Sequence, residues 1–352
     1  MERSAVVPVG DVPSPPRGSD YADLLRLVKT AGLLDRRLGY YLAKLLLVGA
    51  MLVGGWAAFA VLGDSWGQMA VAVFLAFVFA QVGFVGHDAG HRQIFRSTRA
   101  NYVVGLLLGN LVIGLSYGWW VTKHTRHHAH PNQEGKDPDI GVGALAFTTG
   151  SALTTRGLVR FIVRHQRYFF FPLLLLEAVS LHVSSVRALT GRGLRHRSWE
   201  ALLLGLHFAG YFAAVLLVLP PAKAAAFILI QQGLFGLYLG CAFAPNHKGM
   251  PILPAGEKID FLRRQVLTSR NVQGGRVVEF LLGGLNFQIE HHLFPSMPRP
   301  NLRRSVEPVR TFCRQRGVPY CETTLLRSYA QALGYLHEVG KPLRATDAAP
   351  RC

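Results

Sequence analysis

Charge is scarce in this sequence: only 16% of its 352 residues are Asp, Glu, Lys or Arg, against 50% hydrophobic, with a mean hydropathy of +0.25. That balance excludes an ordinary soluble surface and points to a chain lying largely in a bilayer. Cysteine is scarce too. Cys241, Cys313, Cys321 and Cys352 show no CxxC spacing, which excludes a thiolate metal knuckle and leaves reduced thiols as the expectation. No GxSxG elbow, Walker loop or HExxH occurs, removing the commonest hydrolase, nucleotide-binding and zinc-protease signatures. Residues 1–19, rich in Pro, Gly and Val, have no apolar core of signal-peptide length and are expected to be disordered. Residues 341–352 are expected to form a flexible tail.

Acidic residues are the scarcer sign: 20 Asp and Glu stand against 38 Lys and Arg, a net +18. A basic chain raises the question of a nucleic-acid partner, and the distribution answers it. Four apolar runs, near residues 42–62, 68–85, 199–219 and 222–243, reach the roughly 20 residues needed to cross a bilayer core. "GDSWGQ" joins the first pair and "PPAK" the second, so two hairpins are expected. Basic residues cluster at the opposite ends of the runs: Arg26, Lys29, Arg36 and Arg37; Arg92, Arg96 and Arg99; Arg187, Arg192, Arg195 and Arg197. By the positive-inside rule this places the termini and the segments 87–198 and 244–340 on the cytoplasmic side. The charge therefore records membrane topology, and no nucleic-acid partner is expected. Residues 20–34 carry apolar residues at helical spacing among basic ones, as in a helix lying on a membrane surface.

Histidine is where chemistry concentrates. His87 and His91 follow the second run; His124, His127 and His128 form a second cluster; Gln288, His291 and His292 form a third. Helix positions i, i+3 and i+4 share a face, so each cluster projects its members together. A lone histidine is more often packed or solvated than a ligand. Three clusters repeating one spacing on one expected side of a membrane ask for metal. Seven histidines and a glutamine exceed the four ligands of one zinc, so two metal ions fit better. Imidazole alone leaves iron, zinc, copper and nickel open. If the clusters form one site, an even number of crossings separates them. The apolar runs 102–120 and 168–186 then lie in the interface or re-enter.

His247, immediately after the fourth run, is a further candidate ligand, and Asn246 a contributor through water. Asp88 and Glu290, wedged among the ligands, suit acceptors that fix imidazole tautomers. His130, His165, His196 and His337 are expected at the surface, and His182 and His207 are expected to be satisfied by local hydrogen bonds. Trp119, Trp120, Phe243 and Phe287 are expected to line a dry slot leading to the clusters. Lys123, Arg126, Arg299, Arg303 and Arg304 are candidates for holding an anionic group. Residues 301–316 should form a helix over the site, closed by Gly317. A metal transporter would need polar groups at mid-span, and the apolar runs hold almost none.

"HDAGH", "HTRHH" and "QIEHH" resemble the three histidine boxes of the membrane fatty acyl desaturases. "WWVTKHTRHHAHPNQEGKDPDI", "NFQIEHHLFPSMPRPNLRR" and "GVPYCETTLLRS" are similar to the front-end, linoleoyl-CoA-type branch, in which glutamine opens the third box. The resemblance covers about residues 42–333. It implies an all-α integral membrane fold, with four spanning helices and a cytosolic helical cap holding a non-haem di-iron site. It also implies O2-dependent insertion of a cis double bond into an acyl chain carried by CoA or by a lipid. No HPGG haem motif of the fused cytochrome b5 domain occurs, so a ferredoxin or reductase is expected to supply electrons. The alternative is a hydroxylase with the same centre.

Overall fold

The computed structural model describes residues 19–141, 143–191 and 193–348. Val142, Arg192 and both chain ends lie outside them, including the expected disorder of residues 1–18, Cys352 and the last four residues of the tail. In chain order the helices are α1 (Asp20–Thr30), α2 (Leu38–Leu62), α3 (Gln68–Gly90), α4 (Thr98–Leu106), α5 (Tyr117–Ala129), α6 (Thr149–Leu153), α7 (Gly157–Arg164), α8 (Gln166–Leu174), α9 (Glu177–Thr190), α10 (Arg197–Val218) and α11 (Pro221–His247). They continue with α12 (Phe261–Leu267), α13 (Gly275–Leu281), α14 (Gln288–Leu293), α15 (Arg299–Gln315), α16 (Leu325–Val339) and α17 (Lys341–Ala348). Strands β1 (Asn271–Gln273) and β2 (Glu322–Thr324) pair in parallel, Asn271 opposite Glu322.

The chain divides into two compact units: residues 1–35, 125–170 and 243–352, and residues 36–124 and 171–242. In the second unit α2, α3, α10 and α11 are each long and apolar enough to cross a membrane. They share a core of Phe59, Leu75, Tyr211, Val215 and Phe227. Their outer faces stay apolar, with Val61 and Leu217 each 86% exposed, as lipid-facing side chains are. α3 continues five residues past its expected end and carries His87 within the helix.

The two remaining apolar runs are broken. Residues 98–112 and 117–129 meet at 115°, and 166–174 and 177–190 at 68°. A π-helical turn at Leu107–Val112 precedes the first break, and Gly114 turns there with φ +68°, where a Cβ would stand 2.4 Å from the His207 ring. A break at membrane depth frees backbone carbonyls, which must find donors. His207 Nδ1 donates to the Leu111 carbonyl at 3.0 Å and His182 Nδ1 to that of Gly114 at 2.9 Å. These are the local hydrogen bonds expected of both residues. The spans carry more polar groups than the sequence reading allowed, and they are paired internally: Lys44 Nζ donates to Gln81 Oε1 at 2.9 Å, and Gln81 Nε2 to the Tyr238 hydroxyl at 3.0 Å.

The first unit corrects two expectations. α1 begins with Asp20 and Asp23 and ends with Lys29, charges that suit the helix dipole. Its apolar face does not meet lipid: Leu24 and Val28 are fully buried in a core with Ile289, Leu293, Phe294, Leu302 and Val309. Asp20, 4% exposed, is held by Arg263 at 2.9 Å and Arg316 at 2.8 Å. This charge arrangement fixes the helix to protein. The tail is helical from Lys341 to Ala348, because Leu343 is buried against Ala146, Ala152, Val163 and Val339. The helix expected over residues 301–316 forms as α15, and Gly317 follows it with φ +65°. Among the described residues, Cys241, Cys313 and Cys321 form no disulfide.

Candidate metal centre

In the second unit, α3 brings His87 and His91 to one face and α5 brings His124. Their nearest ring nitrogens all lie within 4.8 Å of one another. His87 Nε2 and His124 Nε2 are 3.2 Å apart. Trp120 stacks on His124 with ring centroids 4.5 Å apart and meets His87 edge-on at 5.5 Å. It therefore walls this group of rings. Asp88 is buried, 3.6 Å from His87 Nδ1. That separation suits charge attraction and is too long for a hydrogen bond.

The first unit gathers His127, His247 and His292, again with ring nitrogens inside 4.8 Å, and all three are buried. α14 explains how a six-residue helix supplies a ligand: Ile289 and Leu293 anchor it in the core, leaving Gln288, His291 and His292 for the site. His247 is the last residue of α11. The wholly buried Arg270 clamps that helix end, its guanidinium donating to the carbonyls of Pro245 and Lys248. A cation on the last carbonyls is the favourable end for the helix dipole. His128 stacks on His292 at 4.1 Å and meets His291 edge-on at 4.8 Å.

Tautomers in this group follow from what the partners can accept. His127 Nδ1 faces the Asp137 carboxylate at 3.0 Å, and His247 Nδ1 faces the Thr268 carbonyl at 3.0 Å. Neither partner can donate, so both imidazoles carry the proton on Nδ1. His292 Nδ1 lies 2.9 Å from Gln265 Oε1, while Gln265 Nε2 donates to the His128 carbonyl at 3.0 Å. That second bond fixes the amide orientation, so His292 also donates from Nδ1. Burial raises the Asp137 carboxyl, but the hydrogen bonds from His127 and from the Asp139 backbone N–H outweigh it and hold the group below its ordinary range. The consequence is direct. Three Nε2 lone pairs converge in a buried space, those of His247 and His292 only 3.0 Å apart.

Converging lone pairs repel unless a cation stands among them. Gln288 stands beside them: its amide nitrogen donates to His247 Nε2 at 2.9 Å, and its buried Oε1, the atom that can ligate, has no hydrogen-bond partner. The donor set is imidazole with one neutral amide, which fits a divalent first-row transition metal.

Several expected residues lie elsewhere. Glu290 fixes no imidazole. Its fully buried carboxylate accepts from Asn271 at 2.7 Å and from the Tyr320 hydroxyl at 2.6 Å, and burial pushes it up to about 7 against those bonds. Asn246 is fully buried, and its carbonyl accepts from the Arg270 backbone N–H at 3.0 Å. Phe287 packs on the core beneath Arg303, which pairs with Glu279. Phe243 is half-buried near the end of α11, and Trp119 is half-buried on α5. The acceptors that do fix the rings, Asp137, Thr268 and Gln265, were missed. Asp137 stands inside the "QEGKDPDI" stretch whose family likeness was already visible.

The fatty acid desaturase family model matches residues 64–324, which contain every candidate ligand. An acyl-lipid (9-3)-desaturase of Physcomitrium patens is 30% identical over 95% of this chain and 66% of its own length. A Delta(6)-fatty-acid desaturase of Caenorhabditis elegans is 32% identical over 79% and 66%. A Delta(8)-fatty-acid desaturase of Helianthus annuus is 27% identical over 94% and 76%. The chain thus spans 66% of the length of the first two relatives. With the matched region enclosing both histidine groups, this chain belongs to the fatty acid desaturase family.

Proposed function

We propose that the protein is an O2-dependent desaturase that inserts a cis double bond into a long-chain acyl group carried by CoA or by a lipid. The observation that supports this most is the group of three buried imidazoles, each locked with its Nδ1 proton on an acceptor and its Nε2 lone pair turned inward. Two non-haem irons are assigned, one to His87, His91 and His124 and one to His127, His247 and His292, with His128, His291 and Gln288 as further ligands. When bound, they supply the oxidising power to remove hydrogen from an unactivated methylene, which no side-chain acid or base can do.

The protein's own part is orientation and exclusion of water. Asp137, Thr268 and Gln265 hold the ring planes, so no reorganisation is needed on metal binding. Imidazole and amide ligands leave the metals with less negative charge than carboxylates would. Trp120, stacked on His124, keeps that side of the site dry, and with Trp119, Phe243 and Phe287 we assign it to the acyl slot. The four apolar helices are read as two hairpins in the cell membrane, with the histidines on the cytoplasmic side in a helical cap. A ferredoxin or reductase is the proposed electron source.

The test is gas chromatography with mass spectrometry of derivatised fatty acids from cells expressing the chain with a ferredoxin and its reductase. The expected product is two mass units lighter than its precursor and disappears with His291→Ala and His292→Ala. A product sixteen units heavier would assign a hydroxylase instead.

A further inference from the structure

A cavity of about 210 Å³ lies in the second unit, walled by Ala89 and Gly90 at the end of α3, Tyr102 on α4, Tyr117, Gly118 and Val121 on α5, and Gly193–Arg195 and Glu200 at the start of α10. It adjoins the His87–His91 box and shares none of its ligands. Glu200 is fully buried. Its Oε2 accepts from Ser116 Oγ and from Asn110 Nδ2, the latter at 3.2 Å. Its Oε1 has no hydrogen-bond partner. That oxygen lies over Gly118, where a Cβ would stand 2.3 Å away, so the glycine keeps the carboxylate open to the cavity. An unsatisfied buried carboxylate oxygen keeps the desolvation cost of its burial with no bond to offset it. A ligand bearing a proton donor or a positive charge removes that cost.

The rim has the opposite character. Arg92 and Arg195 are exposed wall residues, and no carboxylate among the described residues pairs with either. The rings of Tyr102 and Tyr117, edge to face at 5.6 Å, form the wall between rim and base, and aromatic faces attract an ammonium group. Read from base to rim, the cavity offers a carboxylate, two aromatic rings and two guanidiniums. A ligand that matches carries an ammonium at its inner end and a phosphate next to it. Glu200 stands in the first turn of α10, at the end of a candidate span. This is the depth at which phospholipid head groups sit.

We propose that this cavity binds the head group of a zwitterionic phospholipid, the ammonium on Glu200 and the phosphate on Arg92 and Arg195. The inference builds on the desaturase reading by naming a lipid-linked carrier for the acyl chain, and its test reads binding without turnover. Detergent-purified, metal-loaded protein is offered equal phosphatidylethanolamine and phosphatidylglycerol of identical acyl chains, and the retained lipid is counted by native mass spectrometry. Wild type retains phosphatidylethanolamine about tenfold over phosphatidylglycerol, the worth of one charge-assisted bond. Glu200→Gln, close in shape, loses that preference. Arg195→Ala, at an exposed side chain that leaves the fold intact, lowers retention of both lipids. Equal retention of the two head groups by wild type, or an undiminished preference in Glu200→Gln, overturns the site and marks the lipid as annular only. If selectivity is present and no double bond forms in cells, the site stands and the desaturase reading falls.

Discussion

Two groups of imidazoles in this chain do opposite things with the same atoms. His182 and His207 spend themselves on the backbone: their Nδ1 atoms face the carbonyls of Gly114 and Leu111, and His182 Nε2 lies 3.0 Å from Gln232 Oε1. His127, His247 and His292 also spend Nδ1, but on Asp137, Thr268 and Gln265, and they turn Nε2 toward one another. What separates structural histidine from ligand histidine is therefore where Nε2 points once Nδ1 is committed. Burial alone does not distinguish them.

The largest expected effect comes from removing a converging ring. His127→Ala or His292→Ala should abolish desaturation in the cell assay and lower the iron bound per chain, while the purified protein remains folded by circular dichroism. The matching change on the other side, His182→Leu, should leave the iron content at the wild-type value and lower thermal stability instead, by about 1–3 kcal/mol for an unsatisfied buried carbonyl. Loss of iron from His182→Leu would break the comparison. Next in size is Asp137→Asn, which keeps the shape but can present a donor to His127. Metal affinity or activity should fall roughly 10–100-fold, read by chelator competition. The smallest effect is expected for Gln288→His, a change from a neutral amide to a stronger ligand. A measurable fall in turnover with unchanged iron content would support a special role for the amide, and full activity would remove it.

Much of the site was legible because helical spacing is a local property. His87 with His91, and His124 with His127 and His128, announce themselves at i, i+3 and i+4. His247 was legible from depth, as a histidine at the end of an apolar run. The ring-fixing acceptors were not. Asp137, Gln265 and Thr268 stand 10, 27 and 21 residues from the histidines they hold, and no spacing rule connects such residues. Glu290 shows the reverse error: adjacency to ligands suggested a role in fixing them, whereas its position on α14 directs it to Asn271 and Tyr320.

The fold divides the same way. Four helices long and apolar enough to cross a membrane are written in apolar run length, and they appear. The use of an amphipathic face is not written there. α1 has the periodicity of a membrane-surface helix, and only the structure shows Leu24 and Val28 buried on protein. α17 was missed because Lys341, Pro342 and Arg344 mask a single buried contact, Leu343.

The most direct test is metal analysis of the purified protein by inductively coupled plasma mass spectrometry, beside His127→Ala and His292→Ala. The account predicts two irons per wild-type chain and a clear loss in each variant. Folded wild-type protein without stoichiometric iron, or variants that keep all of it, would contradict the assignment of the converging imidazoles as ligands.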